Sequence, residues 1–204
     1  MSPLRFCLLG YLSGSVLYAR VFSRLMHKPQ VLESSKDHNP GTANAFQLGG
    51  FWCGLLTLVC DLAKGFVPVF LFTRSIPMMP SASWWLAAVL AAPALGHIFP
   101  VYYRFHGGKG IAVTFGCLLG LFPMWEPFAI LAAVFIFFSV GLRITPHYHR
   151  TIATYGAVAA ALFLLKLPLP ICVGFLIISC AVCVRLRLSP EERERPKVNL
   201  LWKR

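Results

Sequence analysis

The chain has 204 residues, of which 57% are hydrophobic and only 13% charged. A soluble domain carries about 25% charged residues, so that class is excluded. The net charge of +12 would point to nucleic acid in a soluble protein. Here the basic residues fall in loops and in the tail, which assigns them to membrane-lipid headgroups and excludes a nucleic-acid partner.

Apolar stretches long enough to cross a bilayer recur from the N-terminus onward. They predict seven spans, at about residues 4–22, 49–73, 84–104, 110–123, 125–142, 151–166 and 168–186. The first carries Arg20 and Arg24 at its far end and is followed by no small-residue cleavage site, so it reads as a retained span rather than a signal peptide. The fourth is short, which predicts a tilted or half-inserted helix. Proline turns at Phe122-Pro123 and Leu167-Pro168-Leu169-Pro170 separate later spans. No internal repeat supports an inverted-repeat transporter. The whole chain, 1–204, reads as one all-α polytopic membrane domain ending in a basic cytoplasmic tail at 187–204.

Charge sets the expected orientation. Fourteen basic residues fall on one side: Arg24, Lys28, Lys36, Arg104, Lys109, Arg143 and Arg150 in loops, and Arg185, Arg187, Arg193, Arg195, Lys197, Lys203 and Arg204 in the tail. The other side has Arg5, Arg74 and Lys166. Seven spans with this bias put the N-terminus outside and the C-terminus in the cytoplasm. The seven cysteines, Cys7, Cys53, Cys60, Cys117, Cys172, Cys180 and Cys183, all lie in apolar segments. They read as small apolar side chains rather than disulfide partners or a zinc site. Neither a metal nor a cofactor is expected, and the sequence leaves the oligomeric state open.

Three constellations stand out. The stretch Asp37-His38-Asn39-Pro40-Gly41-Thr42-Ala43-Asn44 is a polar, turn-forming loop whose Asn39 and Asn44 can donate amide protons. Asp61 and Lys64, three residues apart, share one helix face inside a span. Each costs about 2.5–3.5 kcal/mol at a span's centre, so they offset one another and mark a polar interior, lining a site or tying the bundle together. The segment His106-Gly107-Gly108-Lys109-Gly110 exposes successive backbone N–H groups that can nest an anion, with the lysine adding a full charge. It lacks Walker A spacing, and as a bare pattern it also fits an inter-helix turn with a snorkelling lysine. His97 follows Gly96 within the third span, as a packed donor or a site residue. His147-Tyr148-His149 lacks carboxylate or cysteine partners and reads as a headgroup-facing loop rather than a metal site. There is no His-x4-Asp box, nucleophile elbow or carboxylate pair, so an enzyme built this way would join an activated donor to a well-positioned acceptor.

In order and spacing these segments resemble the PlsY family, the acyl-phosphate-dependent glycerol-3-phosphate acyltransferases of bacterial membranes. Gly14-Ser15 with Arg24 is similar to its first-span signature, and Asn39-Pro40-Gly41 with Asn44 to its asparagine loop. Asp61, Lys64 and Gly65 match its D-x-x-K-G, and Gly96-His97 with Pro100 and Gly107–Gly110 match its G-H-x-x-P and glycine–lysine loop. The resemblance covers about residues 10–120. It implies a seven-span bundle in the bacterial cell membrane that moves an acyl group from acyl phosphate to the 1-hydroxyl of glycerol 3-phosphate, giving lysophosphatidic acid and phosphate. It further implies Lys109 and Asn44 as catalytic residues, with Asn39, Gly41, Asp61, Lys64, His97, Gly107, Gly108, Gly110 and Arg24 binding substrate. The substrate's own phosphate would assist deprotonation.

Several positions depart from that pattern. Asp37 stands where the family has serine, Lys36 where it has glycine, Glu33 and Gln47 where it has arginines, and His106 where it has lysine. Thr42-Ala43 reverses the family order, the family serine near Arg150-Thr151 has no clean counterpart, and a C-terminal His/Asn motif is missing. These losses keep open a family-derived protein that binds lipid or a partner without this activity. Polar residues within spans also leave a transporter as a further alternative.

Overall fold

In lipid every backbone N–H and C=O must be satisfied within its own segment, so apolar runs become helices. The computed structural model describes residues 2–28, 31, 39–75, 84–189 and 195–200. Its described helices are α1 (Pro3–Gly14), α2 (Tyr18–Leu25), α3 (Thr42–Gly49), α4 (Phe51–Ser75), α5 (Trp84–Ile98), α6 (Ile111–Leu119), α7 (Glu126–Ile136), α8 (His147–Leu164) and α9 (Leu169–Leu188). A 3-10 turn at Val101–Tyr103 follows α5, and α7 runs on as a π-helical turn at Phe137–Gly141. Among the described residues, four helical stretches are long and apolar enough to cross a membrane: Pro3–Leu25, Phe51–Ser75, Trp84–Tyr103 and Leu169–Leu188. Glu126–Gly141 is apolar but shorter.

Three features correct the sequence expectation. The first span is broken: after Gly14 the chain leaves the helix at Ser15-Val16-Leu17 and re-enters it at Tyr18. The expected span at 110–123 contains a helix of only 9 residues, α6. The fold is mostly rather than wholly helical, because β1 (Leu142–Thr145) pairs antiparallel with β2 (Lys197–Leu200). Ile144 stands opposite Val198, so the tail returns to the body as an edge strand. Four residues whose partners lie 52 to 58 positions further on leave no hydropathy signal of their own.

Helices α1, α5 and α9 pack side by side, with α4 against α1 and α6. Close approach needs residues without a Cβ. A Cβ on Gly96 would strike the Tyr11 carbonyl of α1, and one on Gly14 the Pro93 carbonyl of α5. Gly65 of α4 and Gly116 of α6 meet the facing backbone in the same way. The main core gathers Phe72, Leu90, Ile98, Val113, Tyr155, Phe175 and Val182 from α4, α5, α6, α8 and α9. A smaller cluster of Ala19, Val31, Ala45 and Cys53 seats α3 on α2 and α4. Exposed Leu, Phe, Val and Trp side chains cover much of the outer surface, as lipid requires.

Candidate active site

The break in the first span has a chemical consequence. In a continuous helix the Val16 carbonyl would accept from the N–H of Arg20; here that N–H goes to Leu17 O at 3.0 Å. The freed Val16 carbonyl accepts from Lys64 Nζ at 2.6 Å. Lys64 Nζ also lies 2.8 Å from Asp61 Oδ1 and 2.8 Å from His97 Nδ1. The expected Asp61–Lys64 pairing is therefore present, and His97 from α5 completes it. All three side chains are buried.

Both polar loops meet this cluster. On one side, Gly41 precedes α3 and Thr42 Oγ1 donates to Asp61 Oδ2 at 3.3 Å. Asn44 Nδ2 donates to the Asn39 carbonyl at 2.8 Å and so closes the asparagine loop, with Asn39 buried. On the other side, Arg104 and Phe105 both adopt left-handed backbone, at φ 52° and 61°. Each such residue costs about 1 kcal/mol outside glycine. Together they reverse the chain so that the glycine loop folds back on the end of α5. The Gly108 N–H donates to the His97 carbonyl at 3.0 Å. A Cβ on Gly108 would run into His97 Nε2, and one on Gly107 into the His97 carbonyl and Pro100. Gly110 takes φ +81° and opens α6. Lys109 between them is buried, with 8% of its surface exposed. The N-termini of α3 and α6 thus both border the Asp61–Lys64–His97 cluster, and each offers N–H groups and a positive dipole end to an anion.

Other expected residues fall differently. Arg24 is exposed in the last turn of α2. Gln47 is exposed on α3, and exposed His106 turns its Nδ1 to the Arg104 carbonyl at 2.6 Å. Glu33, Lys36 and Asp37 lie outside the described residues. Of the tail arginines, Arg185 in the last turn of α9 is near enough for its charge to act on the His97 imidazole. Three participants escape sequence reading: the Val16 carbonyl, Thr42 as a partner of Asp61, and Arg20, whose guanidinium stacks on Tyr103 at 5.1 Å. The Gly14-Ser15 pair was the available signal for the first. For Thr42, the reversed Thr-Ala order was the signal.

The arrangement is that of a helical integral membrane protein with two N–H-rich loops on one buried charged cluster. A family model described as glycerol-3-phosphate acyltransferase matches residues 4–192. A glycerol-3-phosphate acyltransferase of Pseudomonas syringae pv. syringae (strain B728a) is 40% identical over 145 residues, 71% of either chain. One from Cupriavidus taiwanensis is 35% identical over 175 residues, 81% of this chain and 86% of its own. Two crystal structures of PlsY (YgiH), an integral membrane glycerol 3-phosphate acyltransferase, share the fold. The lysophosphatidic acid form gives a TM-score of 0.77 at 25% identity, covering 92% of this chain and 89% of that one. The glycerol 3-phosphate form gives 0.78 at 26%, covering 92% and 90%. The chain belongs to the glycerol-3-phosphate acyltransferase family.

Proposed function

We propose that this chain transfers the acyl group of an acyl phosphate to the 1-hydroxyl of glycerol 3-phosphate, at a site facing the cytoplasm of a bacterial cell membrane. The product is lysophosphatidic acid, so the reaction belongs to phospholipid synthesis. The observation that carries the reading is the convergence of the asparagine loop and the glycine–lysine loop on the Asp61–Lys64–His97 cluster.

The chemistry suits these residues. The acceptor oxygen attacks the acyl carbonyl, a new ester C–O bond forms, and the C–O bond to phosphate breaks. Inorganic phosphate leaves with the electron pair, and the hydroxyl proton passes to a phosphate oxygen. Phosphate is a good leaving group, so no protein nucleophile is needed. The work is positioning and charge stabilisation. Two phosphate-bearing substrates bring about three negative charges. Lys109 and the N–H groups of Gly107 and Gly110 would meet them, with Asn39, Gly41 and Asn44 holding the acceptor. Arg185, near enough for its charge to act on the His97 ring, adds positive charge to this end of the site.

The same reading takes the chain as one polytopic domain of seven spans, N-terminus outside, with the tail from residue 187 on the cytoplasmic side. The four long apolar stretches and the basic bias of alternate loops support it. The test is phosphate release from palmitoyl phosphate by purified protein, with and without glycerol 3-phosphate. Release should require the acceptor and fall at least about 100-fold in Lys109→Ala, the scale of losing one main stabiliser of transition-state charge. Wild-type turnover in Lys109→Ala would refute the assignment.

A further inference from the structure

We infer that Asp61, Lys64 and His97 form a positioning relay that fixes His97 as the Nε2–H tautomer and aims that N–H, as a neutral donor, at the phosphate held by the glycine loop. The inference rests on the reading that this loop binds a phosphate group.

An ammonium has three N–H donors and no lone pair. Lys64 has three partners: the Val16 carbonyl at 2.6 Å, Asp61 Oδ1 at 2.8 Å and His97 Nδ1 at 2.8 Å. Lys64 can only donate, so Nδ1 accepts, and the neutral ring carries its proton on Nε2. Asp61 keeps the lysine charged, and is itself steadied by Thr42 Oγ1 at 3.3 Å. The Nε2 edge of the ring faces Gly108, where a Cβ would collide with it. The Gly108 N–H is meanwhile held by the His97 carbonyl at 3.0 Å. One residue thus grips the loop by its backbone and faces it with its ring. The charged groups acting on the ring are Asp61 and Lys64 from α4 and Arg185 from α9.

A buried ion pair is weak evidence for stability, since similar-sized apolar residues often stabilise as well. An ammonium ion-paired to Asp61 and set 2.8 Å from Nδ1 does something apolar residues cannot: it fixes which nitrogen of the adjacent imidazole holds the proton. Gly108 fits the same logic, because any side chain there would stand between the ring and the loop.

Nitrogen NMR of protein carrying ¹⁵N-histidine, in detergent, reads the relay directly, with the His97 resonances assigned by their loss in His97→Gln. The expected result is an unprotonated Nδ1 and a protonated Nε2, with Nε2 moving on titration with inorganic phosphate. Asp61→Asn/Lys64→Met removes both charges together, so neither is left buried alone. It should abolish the single tautomer and weaken phosphate binding about tenfold, the scale of one hydrogen bond to a charged group. In kinetics, His97→Gln keeps an N–H near the Nε2 position and should hold KM for glycerol 3-phosphate within about threefold. His97→Ala should raise it about ten- to a hundredfold, with kcat changed less. An Nδ1–H tautomer in the wild type, an Nε2 resonance indifferent to saturating phosphate, or an unchanged tautomer in the double variant would each overturn the relay. The wild-type readout needs only His97→Gln for its assignment and stands whether or not the double variant folds. A normal tautomer and phosphate response in protein that transfers no acyl group would leave the relay standing and remove the proposed reaction. Normal acyl transfer with a silent Nε2 would do the reverse.

Discussion

Lys64 is the residue on which the site's geometry turns, and its neighbours explain what its loss would do. Removing the ammonium alone leaves the Asp61 carboxylate buried beside a lone Val16 carbonyl. Lys64→Met should therefore destabilise the protein by about 3–5 kcal/mol, whereas Asp61→Asn/Lys64→Met should cost clearly less. Unfolding in detergent, followed by tryptophan fluorescence, compares the two. Asn44→Ala removes one of two donors to the Asn39 carbonyl, the amide at 2.8 Å, and leaves the Gly41 N–H at 2.8 Å. One hydrogen bond of about 1–1.5 kcal/mol corresponds to a fall of about five- to tenfold in kcat/KM for glycerol 3-phosphate. Asp61, Lys64 and His97 were legible in the sequence because charges and imidazoles inside apolar spans are costly and need partners. Their ligands were not. Val16 contributes only backbone, and its availability depends on a helix break between two equally apolar halves. Thr42 looked like a permuted family residue until α3 brought its hydroxyl to Asp61.

At the scale of elements, the site depends on how closely α1 and α5 approach. Gly14 and Gly96 each face a backbone carbonyl across that interface. Gly96→Val would push the two helices apart, moving the Val16 carbonyl off Lys64 and His97 away from its partners. The expected outcome is a loss of about 1–3 kcal/mol in stability, as for an overpacked core, together with a fall in kcat/KM. Parallel unfolding and rate measurements check it; unchanged turnover in folded Gly96→Val would contradict the coupling. The tail strand makes a separate claim. Val198→Pro removes a backbone donor opposite Ile144 and should release the tail, read as faster chymotrypsin cleavage after Leu200, while acyl transfer stays within about threefold. Hydropathy located the long helices because their length is set by the bilayer. It overran α6, whose nine residues continue into apolar turns, and it missed β1 and β2, which are too short for a period to show.

The whole molecule combines an apolar exterior with an excess of 12 positive charges. Exposed Trp52, Trp84 and Trp125, at the starts of α4, α5 and α7, suit the membrane–water boundary. In sealed vesicles, trypsin should trim the basic tail only when added to the cytoplasmic side; trimming from the opposite side would overturn the proposed orientation. The departures from the family pattern also look different at this scale. Gln47 and His106 are exposed, while Lys109 and Asn39 are buried and Asn44 closes the asparagine loop. The most direct test of the central claim follows labelled glycerol 3-phosphate in reconstituted protein supplied with palmitoyl phosphate, beside palmitoyl thioesters as alternative donors. Labelled lysophosphatidic acid should appear with one phosphate released per product, and only with the acyl phosphate. Product formed from the thioester instead, or no product from folded protein, would contradict it.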